Sequence, residues 1–78
     1  MMPNKNCLVI LTATWETGLT EPIVRIKRFN TVMDALDIYA NTPCHWSQLC
    51  TEEDADRIAN KAMELYKAGE LDEDTYIS

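Results

Sequence analysis

Residues 7–15 read CLVILTATW, nine positions without a glycine, a proline or a charge. So short an apolar run, rich in β-branched residues, predicts a strand rather than a helix. On a strand, Cys7, Val9, Leu11, Ala13 and Trp15 share one face and Leu8, Ile10, Thr12 and Thr14 the other. Both faces begin apolar, so the first half calls for cover on both sides and the second half on one. The whole chain has 78 residues, enough for a single domain with one thin core. A deep catalytic cleft would compete with that core for side chains.

Downstream, Glu16 to Pro22 is turn material, with Gly18 free to take positive φ. Ile23 to Phe29 alternates, Val24 and Ile26 against Arg25 and Lys27, as a half-buried antiparallel strand does. Thr31 can cap a first helix with Asp34 as a weaker box partner. Val32, Ala35, Leu36 and Tyr39 then form an apolar stripe, with Asp34 and Asp37 facing water and Pro43 stopping the helix near Asn41. Pro43 to Cys50 reads as a loop or a short helical turn. Thr51 opens a second helix, with Asp54 closing its box, a Glu53–Arg57 pair on its surface and Gly69 past its end. Its core stripe is Ala55, Ile58, Ala59, Ala62, Leu65 and Tyr66. The tail, Glu70 to Ser78, is acidic and could add a short C-terminal strand, begin a helix, or pack as an anchor through Tyr76 and Ile77. The expected fold is α+β, an antiparallel hairpin packed against two helices in the order ββαα.

Charge narrows the partners. Thirteen acids against seven bases give a net charge of −6. Residues 1–30 sum to +2, counting Lys5, and residues 31–78 to −8. Nucleic-acid backbones and anionic membrane surfaces attract clustered Lys and Arg, so direct binding to either is disfavoured. A basic protein surface suits this chain better. Lys5 followed by the apolar run mimics a secretion signal, but Thr12 and Thr14 interrupt it and no small-residue cleavage site follows. No apolar run reaches the ~18–20 residues of a membrane span. Three cysteines, an odd count, argue against a secreted disulfide framework. The expected setting is cytoplasmic.

The densest chemistry is Cys44-His45-Trp46 with Cys50. Zinc sites favour cysteines two to four apart, and five residues separate these two. A Cys50 thiolate would gain from the helix start that follows and lose from Glu52, Glu53 and Asp54 beside it. Buried packing around Trp46 is the plainer reading. Asp72-Glu73-Asp74 lacks the glycine and distant glutamate of a calcium loop. With two glycines there is no phosphate loop. No catalytic residue, metal ligand or cofactor is expected.

The remaining candidates are for partner binding. Asp34, Asp37, Glu53, Asp56, Glu64, Asp72, Glu73 and Asp74 crowd into the helical half and tail. Neighbouring carboxylates on a helix stand ~5–6 Å apart, comparable to phosphates along a nucleic-acid strand. Trp15 at the hairpin's turn end is the aromatic anchor. In size, acidity and architecture the chain is similar to small proteins of bacteriophages and mobile elements that block host defence or transcription, a likeness of class resting on no particular residue. That points to an inhibitor covering a basic surface of a host nucleic-acid-binding complex of the CRISPR, restriction or transcription kind. The alternatives are a self-associating module, pairing through the hairpin edge, whose charge serves solubility, and a Cys/His metal or thiol enzyme.

Overall fold

The computed structural model describes residues 6–18, 21–42 and 44–78; Lys5 and Pro43 lie outside them. Six elements follow in order: β1 (Cys7–Thr12), α1 (Thr14–Thr17), β2 (Ile23–Arg28), α2 (Val32–Asn41), β3 (Trp46–Cys50) and α3 (Glu52–Lys67). The fold is α+β, with a three-stranded antiparallel sheet in the order β2-β1-β3. The β1–β2 hairpin and both long helices are those expected, but a third strand makes the order ββαβα around the short α1.

All six residues of β1 are buried, as its apolar faces require. It pairs Leu8 with Lys27 and Ile10 with Arg25 on one side, and Leu8 with Leu49 and Ile10 with Ser47 on the other. Cys7, Val9 and Leu11 face α3 in a core shared with Trp46, Cys50, Ala55, Ile58 and Ala62. Leu8 and Ile10 face the opposite side by strand alternation. Because β2 and β3 both run antiparallel to β1, α2 is the crossover between them, and it lies on the face of Leu8 and Leu49.

Several local expectations are corrected. The first strand ends at Thr12 rather than Trp15, and the chain coils into α1, closed by a hydrogen bond from the Gly18 N–H to the Thr14 carbonyl at 2.9 Å with Gly18 at φ +73°. Ala13 is therefore buried while Trp15 is 76% exposed, so they share no face. The second strand stops one residue earlier, at Arg28. The segment read as loop, residues 46–50, is β3. The tail forms neither strand nor helix.

The caps show how closely short motifs are obeyed. At Thr31 the box is complete: the Asp34 N–H donates to Thr31 Oγ1 at 3.2 Å and the Thr31 N–H to Asp34 Oδ2 at 3.3 Å. At Thr51 it is not, because the hydroxyl turns instead to donate to Asp54 Oδ2 at 3.2 Å. Arg57 pairs with Asp54, at 3.5 Å, rather than with Glu53. At the far end of α3, Gly69 at φ +74° lets the Glu70 N–H reach the Leu65 carbonyl (2.8 Å) and the Gly69 N–H the Tyr66 carbonyl (3.0 Å). That Schellman closure turns the chain back toward β3.

The returning tail is sewn to the sheet by side chains. Its backbone takes hydrogen bonds from His45 Nε2 at the Leu71 carbonyl (2.8 Å) and Trp46 Nε1 at the Thr75 carbonyl (2.8 Å). Gln48 holds Ile77 at both ends, donating to its carbonyl at 2.7 Å and accepting from its N–H at 2.8 Å. Leu71 and Ile77 close the α3 core from below. Of the three fates open to the tail, anchoring is the one adopted, with Ile77 buried and Tyr76 exposed.

Candidate interaction surfaces

Of the Cys/His cluster, His45, Trp46 and Cys50 are engaged in packing and hydrogen bonds, while Cys44 is half-buried beside a cleft with Tyr39 and Glu73. Residues 46–50 are extended, so His45 and Cys50 lie about 16 Å apart along the strand at ~3.3 Å per residue. The His45 ring stands edge-on to Tyr66, centroids 5.4 Å apart at 79°, and holds Leu71 with its Nε2–H. Cys50 faces the core opposite Cys7. Trp46 is buried with its indole N–H committed to Thr75. Among the described residues no group of three or more His, Cys, Asp or Glu is placed to hold a metal ion. No helix among them is long and apolar enough to cross a membrane.

The carboxylates divide between two sides of the sheet. Glu53, Asp56 and Glu64 are exposed on α3, facing away from its buried stripe of Ala55, Ile58, Ala59 and Ala62. Glu53 and Glu64 stand about 16 Å apart along the axis at ~1.5 Å per residue. Beyond the C-terminal end of α3, Asp72, Glu73 and Asp74 are exposed in a turn that Thr75 closes, its Oγ1 accepting from the Asp72 N–H at 2.9 Å and its N–H donating to the Asp72 carbonyl at 3.0 Å. These six are the acidic run of the C-terminal third of the chain, and its last part reaches round to α2, where Glu73 lines a cleft with Tyr39, Cys44 and Trp46. Asp34 and Asp37 do not join it; they are exposed on α2, across the sheet, near Arg28 and Asn30. Trp15 stands exposed on α1.

The division of charge is complete. Residues 52–78 hold nine acids and three bases, which accounts for the full net charge of −6, and residues 1–51 sum to zero. Among the described residues the ion pairs are Arg28–Glu52 and Arg57–Asp54. Neither uses a carboxylate of the acidic run.

The sequence reading missed a second surface. The α2 stripe was expected to pack, yet Ala35 is the one buried residue of that helix. Val32 is 73% exposed, Met33 68%, Leu36 56% and Tyr39 54%, and Leu49 of β3 is exposed beside them. Helical geometry explains this. The apolar arc of α2 runs from Ile38 and Ala35 through Tyr39, Val32 and Leu36 to Met33, about 220° at ~100° per residue, and the sheet covers one edge of it. Between helix and sheet lies a cleft of about 230 Å³ lined by Leu8, Val32, Leu36, Tyr39 and Leu49. The signal in the sequence was Met33, an apolar residue outside the four-residue stripe.

No family model matches this chain, and no curated protein or solved structure does either.

Proposed function

We propose that this protein is a non-catalytic binding protein whose acidic α3 side covers a basic surface of another protein. The observation that carries the reading is the confinement of the whole net charge to residues 52–78. There Glu53, Asp56, Glu64 and the 72–74 turn stand exposed and take no ion pair among the described residues. A run of carboxylates on a rigid helix attracts clustered Lys and Arg and orients their approach. Surfaces of that kind are built to bind nucleic acid, so the partner class is a nucleic-acid-binding protein. An inhibitor of a host CRISPR, restriction or transcription complex, acting in the cytoplasm, is the specific form proposed. The spending of His45, Trp46 and Gln48 on holding the tail favours a binding role over an enzymatic one.

Charge reversal tests this. Glu53→Lys with Asp56→Lys changes two exposed side chains and leaves the core alone. The double variant should keep the native circular dichroism spectrum and lose the partner that the wild-type chain captures from bacterial lysate. Capture of the same partner with equal yield would remove the acidic surface from the account.

A further inference from the structure

The two outer strands of the sheet differ in what guards them. β2 carries Arg25, Lys27 and Arg28, charges that deter pairing by another strand. β3, Trp46-Ser47-Gln48-Leu49-Cys50, has no charge and no proline. Register tells which of its backbone groups are free. The Phe29 N–H donates to the Asn6 carbonyl at 3.0 Å, so Asn6, Leu8 and Ile10 are the positions that bond to β2. Cys7, Val9 and Leu11 then bond to β3, opposite Cys50, Gln48 and Trp46. The Leu11 carbonyl, accepting from the His45 N–H at 2.8 Å, agrees. The N–H and C=O groups of Ser47 and Leu49 therefore point away from β1. Among the described residues no backbone group outside the sheet bonds to them. The tail reaches β3 through the side chains of Trp46 and Gln48 instead.

Two clefts lie beside this edge. Ser47 and Leu49 line the apolar one, of about 230 Å³, with Leu8, Val32, Leu36 and Tyr39. Gln48 lines it too, although its side chain turns to the opposite face to hold Ile77, so the cleft reaches the edge of β3. The second cleft shares Tyr39 and Ser47 with the first and adds Cys44 and Glu73. Glu73 is exposed and in no ion pair among the described residues. We propose that the β3 edge receives an extended segment of another protein, which adds a fourth strand antiparallel to β3, sets an apolar side chain in the α2–β3 cleft and brings a Lys or Arg to Glu73. In such pairing the residue opposite Ser47 or Leu49 exchanges both backbone bonds with it and turns its side chain to the same face. Main-chain bonds supply affinity and the two clefts supply selection. The apolar and basic residues stand two positions apart, because residues i and i+2 share a face about 7 Å apart. Charge chooses the occupant. A base complements Glu73, whose neighbours Asp72 and Asp74 are also exposed, whereas β3 of a second copy offers none. This inference concerns a different surface from the acidic side of α3 and does not depend on that side having a partner.

The test titrates an N-acetylated, C-amidated peptide, TVTITKT, into the full chain labelled with nitrogen-15 and follows it by NMR. Its valine, isoleucine and lysine share one strand face. Within the sheet the amides of Ser47 and Leu49 should shift most, with a dissociation constant of about 0.1–1 mM. Methylating the isoleucine amide, which faces β3, should weaken binding about tenfold or more, while methylating the threonine amide before it, which faces away, should change it little. Exchanging the peptide's lysine for glutamate should weaken binding about threefold, Glu73→Lys should do the same, and the two together should restore it. Ser47→Pro removes an outward N–H, which an edge strand tolerates, and should abolish binding with the circular dichroism spectrum kept. The methylated peptides need no variant, so the test stands even if that one does not fold. No shift at about 1 mM peptide, equal binding by the peptide methylated at isoleucine, or indifference to both charge changes would overturn the proposal. A wild-type dimer that Ser47→Pro dissociates would give the edge to a second copy and overturn it equally.

Discussion

Gln48 is a polar residue on the buried side of an edge strand, and its amide does the work of a missing strand partner. It matches both backbone groups of Ile77, so the tail gains a two-point attachment without a ladder of its own. Among the described residues no buried side-chain nitrogen or oxygen is left without a partner. Gln48→Leu keeps the approximate volume and removes both bonds. Leaving the Ile77 N–H and carbonyl unsatisfied costs about 1–3 kcal/mol per group, and partial release of the tail limits the total to about 2–3 kcal/mol. The urea midpoint should fall accordingly, and an unchanged midpoint would show that the tail is not held in this way. Ala62 tests the other side of the core. It is fully buried on α3, so Ala62→Asp places an unpaired charge among Val9, Leu11 and Ile58. The variant should be unfolded by circular dichroism at 25 °C, and a cooperative melt near that of wild type would mean the helix presents a different face.

The two long helices are held in different ways. α3 packs across all three strands, and its alanines bring it close to the sheet. α2 touches the sheet through Ala35 and Ile38 and leaves most of its apolar arc outside. Its N-terminus is fixed by the complete capping box at Thr31, a motif whose loss costs about 1 kcal/mol. Amides of α2 should therefore exchange with deuterium well before those of α3, and Thr31→Ala should speed exchange in α2 while leaving α3 unaffected. Equal protection in the two helices would contradict this difference. The elements legible in the sequence with their burial were β1 and α3; β2 was legible as a strand, but its half-buried alternation is not kept, since Ile26 is exposed along with Arg25, Lys27 and Arg28. β3 was hidden because its polarity is inverted at two positions. Gln48 points inward to hold the tail and Leu49 points outward toward α2, so WSQLC shows no clean alternation. The cysteines and histidine around it drew attention to chemistry, whereas Cys50 packs in the core and His45 holds the Leu71 carbonyl. α2 was legible as a helix with an apolar stripe, but the exposure of that stripe was not, because a stripe shows which residues are apolar and not whether a sheet is wide enough to cover them.

At the scale of the molecule the excess of acid belongs to α3 and the tail, and an exposed apolar face belongs to α2 and Leu49. The two meet at the cleft that Glu73 shares with Tyr39. The acidity was plain in the sequence, but its boundary was not. A division at residue 30 gives +2 and −8, whereas the fold divides at the start of α3 and leaves the first 51 residues neutral. That boundary separates Asp34 and Asp37 from the other acids and makes them neighbours of an apolar face instead. The central claim is that the acidic side recognises a basic protein, and salt tests it most directly. The immobilised wild-type chain is exposed to bacterial lysate at about 50 mM and about 500 mM salt, spanning Debye lengths from roughly 14 to 4 Å. Captured proteins are identified by mass spectrometry. A nucleic-acid-binding protein retained at the lower salt and lost at the higher is the predicted result. A partner held equally at both, or none at either, would contradict it.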